Sequence, residues 1–114
     1  MDIRECFIDS ILYDRLDIFN WICGRCDLKN TYWFNLASQF GNIVFLKVMY
    51  RLGFAWDETT TLEAAEFGHL KILIWLYENG CPIDERVILR SAVKGYEDIV
   101  TWSSEIICDA RVLL

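Results

Sequence analysis

The stretch HLKILIWLYEN, residues 69–79, carries apolar side chains at nearly every position between its polar ends. It is long enough for about three helical turns, and its apolar stripe is too wide for a helix covered on one side only. Just before it, TTTLEAAEFG reads as a shorter helix that stops at Gly68. Thr60 followed by Glu63 matches a capping box, with Asp57 as an alternative N-cap. Two helices joined at a glycine are therefore expected here, the second ending at Gly80.

The same pattern returns at a fixed spacing. Residues 64–85, AAEFGHLKILIWLYENGCPIDE, align with residues 37–58, ASQFGNIVFLKVMYRLGFAWDE, after a shift of 27 positions and without a gap. Phe40-Gly41 falls on Phe67-Gly68, Leu46 on Leu73, Gly53 on Gly80, and Asp57-Glu58 on Asp84-Glu85. One period later, SAVKGYEDIVTW keeps Ala92, Gly95, Ile99 and Trp102. Two periods earlier, SILYDRLDIFNW keeps Leu16, Ile18 and Trp21. A fixed period of this kind is the mark of a repeat array, in which each unit buries its apolar face only against its neighbours. The chain is expected to form one all-α domain over residues 1–114, a helical solenoid of about four helix-turn-helix repeats near 3–29, 30–56, 57–83 and 84–114. Ser10, Ala37, Ala64 and Ser91 fall in one column, and small side chains let paired helices approach closely.

The string AAEFGHLKILIWLYENG resembles the helical part of ankyrin repeats, and the resemblance covers about residues 5–102. It departs from that family in its period of 27, against about 33 for the usual unit, and in lacking the Thr-Pro-Leu-His opening. Linkers as short as CPIDE or FAWDE leave no room for β-hairpin fingers. The chain looks most like the short ankyrin-like repeats of giant DNA viruses of amoebae and of amoebae themselves. That resemblance implies a non-catalytic protein–protein interaction module, in a viral case one acting on a host. The fold alone names no partner.

Composition narrows the function further. Apolar residues make up 54% of the 114, with five Trp, seven Phe and five Tyr, which argues against disorder. A net charge of −6 and the lack of a basic stripe argue against nucleic acid as a partner. The apolar runs are too short to span a bilayer, and acids interrupt the first residues before a leader-like stretch forms. Five cysteines, an odd number, point to free thiols and a cytoplasmic or nuclear setting, the host's cytoplasm if the protein is viral.

One string invites a different reading. NWICGRCDLKN, residues 20–30, holds a Cys-x-x-Cys pair, Cys23 and Cys26, as thiol enzymes and half of a zinc site would. The register places Cys26 on Gly80, so the pair closes a helix, where the dipole disfavours a thiolate. A second pair of ligands is missing from the sequence. Cys81, at roughly 8–10 Å per helix layer, stands on the order of 20 Å from Cys26. No metal, no cofactor and no enzymatic activity are therefore expected. A thiol redox or zinc protein built on this pair remains the alternative, as does a structural fragment of a longer repeat array. His69, the one histidine, is expected to hydrogen-bond at a helix start.

For the partner-binding strip, the column before each repeat's glycine is the candidate: Tyr13, Phe40, Phe67 and Lys94, flanked by Gln39, Glu63 and Glu66. A ladder of aromatics beside polar side chains suits a protein partner, since aromatic anchors dominate interface energetics. The competing reading packs these rings between repeats. Near the end of the sequence, Glu97 and Ser103 replace apolar residues of the register, as on the outward face of a capping repeat, while RVLL could dock on the stack or pair with another chain.

Overall fold

The computed structural model describes residues 2–25, 27 and 29–112, without the side chains of 109–112. Cys26 and the final two leucines of RVLL thus lie outside the described residues. Among those described there are eight α-helices and no strand: α1 Ile3–Leu12, α2 Leu16–Cys23, α3 Tyr32–Phe40, α4 Ile43–Leu52, α5 Glu58–Glu66, α6 Leu70–Glu78, α7 Arg86–Lys94 and α8 Glu97–Val112. The protein is all-α, as the periodicity predicts. The second helix of each pair begins at Leu16, Ile43, Leu70 and Glu97, each 27 positions after the one before.

The chain divides into two compact units, Met1–Trp56 and Asp57–Leu114. In the first unit α1 packs on α2 and α3 on α4, while α1 meets α3 and α2 meets α4. In the second, α5 packs on α6, α7 on α8 and α5 on α7.

Local chemistry at the turns explains the shared spacing. Gly41, Gly68 and Gly95 stand at φ 75°, 78° and 82°, a region that costs an L-residue roughly 1–2 kcal/mol. The tight turn they make returns the chain at once. In three of the four pairs the residue after the left-handed position donates its amide five residues back: Arg15 to Ser10, His69 to Ala64 and Tyr96 to Ser91. The first repeat makes the same turn without glycine, since Asp14 occupies the equivalent position at φ 55°. Before the first helices, Asn30, Asp57 and Asp84 are again register equivalents. Each accepts, through Oδ1, the amide two residues on, from Tyr32, Thr59 and Arg86.

The expected capping box is displaced by three residues. Asp57, not Thr60, is the N-cap of α5, and Thr60 Oγ1 accepts the returning bond from the Asp57 amide at 3.2 Å. Thr60 is then carried into the core, fully buried.

The two units are filled differently. The first is aromatic: Phe7 lies 5.2 Å from Phe19 and 5.0 Å from Trp33, and Phe19 lies 4.5 Å from Phe45. Phe7, Phe19 and Phe45 are fully buried, each worth about 1.5–3 kcal/mol of burial, and tilted pairs at this spacing add to that. The second unit uses smaller side chains, with Thr60, Thr61, Ala64, Ala65, Leu73 and Val87 all fully buried. The column Ser10, Ala37, Ala64 and Ser91 is buried throughout, as expected of side chains where helices approach closely. Ser10 and Ser91 satisfy their hydroxyls by donating to the carbonyls of Phe7 and Val87.

Two expectations about the last repeat divide. Glu97 is exposed, in keeping with an outward face. Ser103 is not outward: it is fully buried and donates to the Ile99 carbonyl. A hydroxyl bonded to its own helix can occupy an apolar column without leaving a polar group unpaired. Ala92 is exposed where its equivalent Ala65 is buried on α5, the helix that packs against α7.

Candidate functional site

The expected strip residues lie at the ends of the first helices. Tyr13 caps α1 and Phe67 caps α5, while Phe40 and Lys94 are the last residues of α3 and α7. A side chain in this position leaves the helix just before the chain turns, which tips it off the packed face. Tyr13 is 72% exposed and Phe67 47%, whereas Phe40 is half-buried and Gln39 likewise. For Tyr13 and Phe67 this exposure supports the surface reading over packing between repeats. Lys94 is exposed, and its charge suits the negative end of α7.

The acidic flank behaves differently from its sequence-based description. Glu66 is engaged, since Arg90 Nη1 approaches Glu66 Oε1 at 3.4 Å across α5 and α7. Glu63 is half-buried. The surface offered by the second unit is therefore a ring beside a compensated charge pair rather than a ring beside bare carboxylates.

Several exposed apolar side chains neighbour these positions; Leu12 and Val93 share the register column of Gln39 and Glu66, and Leu89 escaped the sequence reading. Leu12, 58% exposed, precedes Tyr13, and Val93, 84% exposed, precedes Lys94. Leu89 is 64% exposed on the same helix as Val93. A signal existed: α7 spaces Val87, Ile88, Leu89 and Val93 over more than one face of nine residues, so all of them cannot be buried.

The cysteines resolve into separate environments. Cys23 is the last residue of α2 and is buried, at the helix end that disfavours a thiolate. Arg25 follows, its guanidinium 3.7 Å from the centre of the Trp21 ring and its Nη1 donating to the Trp21 carbonyl. That arrangement covers the end of α2. Cys81 is buried too, and burial, reinforced by the nearby Asp57 and Glu58, pushes its thiol up to about 12. Its Sγ donates to the Asp57 carbonyl at 3.4 Å. Among the described residues, no three His, Cys, Asp or Glu side chains come together as a metal-ligand group, and no helix is long and apolar enough to cross a membrane. His69 is the N-cap of α6, and its side chain makes no capping hydrogen bond to that helix.

Comparison with protein families, curated proteins and solved structures returned no match for this chain.

Proposed function

We propose that the chain is a non-catalytic protein-interaction module, an ankyrin-like stack of four short-period helix pairs that binds another protein through preformed helical surface. The observation that carries the reading is the exposure of Tyr13 and Phe67 at equivalent register positions, on helix ends anchored by buried cores. Rings held on a rigid scaffold bind with little ordering cost. Within each unit the binding surface extends to the adjoining side chains, Leu12 in the first and Glu66 in the second.

Affinity capture from cells, read by quantitative mass spectrometry, supplies the partner. Tyr13→Ala and Phe67→Ala are then compared with Lys71→Ala, an exposed side chain on α6. Truncating an anchor commonly costs about 2 kcal/mol of binding or more. Aromatic variants that fold normally and bind like the parent would place the binding surface elsewhere.

A further inference from the structure

Within each unit, one helix pair meets the next through fixed register positions. Phe7 and Phe19 of the first pair reach Trp33 and Phe45 of the second. In the other unit the Tyr96 ring closes over Gly68, and Thr61 donates to the Pro82 carbonyl at 2.8 Å. The side chains at these joins are buried: Phe7, Phe19 and Phe45 in one, Thr61, Ala65 and Ile99 in the other.

The same positions are open on the α1–α2 face of the first unit and on the α7–α8 face of the second. Ile18, the register equivalent of Phe45 and Ile99, is 37% exposed. With Cys6, Asp9 and Tyr13 it lines a cavity of about 280 Å³ between α1 and α2. On α7 and α8, Ala92 is exposed and Ile88 and Val100 are half-buried, where Ala65, Thr61 and Leu73 are buried. Gly95 has open space where a Cβ would stand, although Gly68, its equivalent, is closed over by Tyr96.

We propose that these two faces dock on each other in separate copies of the chain, the α7–α8 face of one copy seated on the α1–α2 face of the next. The open positions are the ones that make the joins already present, so the docked copies continue an existing interface. First helix packs on first helix in both established joins, α1 on α3 and α5 on α7. In the second of these an acidic helix, with Glu58, Glu63 and Glu66, meets a basic one, with Arg86, Arg90 and Lys94. On α7 Arg90 is already engaged by Glu66 and Arg86 by Asp84, so the docked copies rest on apolar continuity rather than on charge. Arg15, at the register position of Tyr96, then faces the open Gly95. Such a contact joins unlike faces, so it adds copies head to tail, in open chains or closed rings, rather than making a symmetric dimer.

Sedimentation velocity of the 114-residue chain, taken up to about 1 mM, tests this at low and high NaCl. The weight-average mass is expected to rise past that of a dimer with concentration, and not to fall in salt, as apolar contact between chains of net charge −6 requires. Ile18→Asp and Ala92→Arg, each checked for folding by circular dichroism, should each shift association to at least about tenfold higher concentration. Mixed together they should form a species that stops at the dimer, since each variant keeps one competent face. Hydrogen exchange of the parent gives a readout free of substitutions: protection over residues 6–18 and 88–100 should grow with concentration. A parent that stays monomeric throughout would leave the face to a different protein and overturn the proposal. So would a closed dimer indifferent to both variants. Either result leaves the partner-binding reading standing, because that reading does not require self-association.

Discussion

The ring of Tyr96 lies over Gly68 so closely that a Cβ built on the glycine would sit 2.9 Å from the Tyr96 Cζ. The glycine therefore answers two demands at once, a left-handed turn at φ 78° and room for a ring from the following helix pair. Gly95 meets only the first demand, at nearly the same φ and with open space around it. Replacing Gly95 by Ala should cost about 1–2 kcal/mol, the strain of an L-residue in that region. Gly68→Ala should cost that and a further overpacking penalty of about 1–3 kcal/mol. Urea denaturation of the two variants separates the contributions, and equal losses would show that the ring moves aside freely.

Asp14 occupies the position that glycine holds in the other three repeats, at φ 55°. Asp tolerates this region better than most L-residues but still pays for it, while glycine pays only extra chain entropy, about 0.5–1 kcal/mol. Asp14→Gly should therefore leave stability unchanged or raise it by up to about 1 kcal/mol. A clear loss on thermal or chemical denaturation would mean that the Asp14 side chain makes a contact that sustains the turn.

Leu73 is fully buried on α6, at the register position shared with Phe19 and Leu46, which are equally buried. Leu73→Ala removes side-chain volume from a filled column and should cost about 2–5 kcal/mol. The denaturation midpoint is the measurement, and no change would place Leu73 outside the core of its unit.

The backbone was legible in the sequence because its punctuation is local. Gly41, Gly68 and Gly95 declare their conformation by identity, and the apolar columns between them repeat in one register. Asp14 was missed for the same reason: nothing but its alignment with the glycines signals a positive φ. Ser103 shows a different limit. A polar residue in an apolar column reads as exposed, yet a hydroxyl bonded to the carbonyl four residues back can be buried without penalty. Around the candidate strip, register gave Tyr13 and Phe67 the same column, but the 24-residue reach of Arg90 to Glu66 belongs to tertiary packing, which alternation and spacing do not encode.

Cys81 links the core of the second unit to pH. Its thiol is 3% exposed, and burial, with Asp57 and Glu58 nearby, raises it from about 9.0 to about 12. A group whose ionisation is suppressed by folding stabilises the native state fully while the unfolded thiol also stays neutral. Above pH 9 the unfolded chain ionises and the folded one does not, so stability should fall with rising pH at up to about 1.4 kcal/mol per unit until pH 12. Tyr and Lys side chains titrate in the same range, so the slope must be read as a difference. Cys81→Ala should be less stable than the parent at pH 7, with the gap narrowing steadily from pH 9 to 11. The thiol should also resist Ellman's reagent at pH 8 in the native protein, while exposed Cys108 reacts at once. A gap that stays constant across the alkaline range, or rapid labelling at Cys81, would show that the thiol is not held in the neutral core described here.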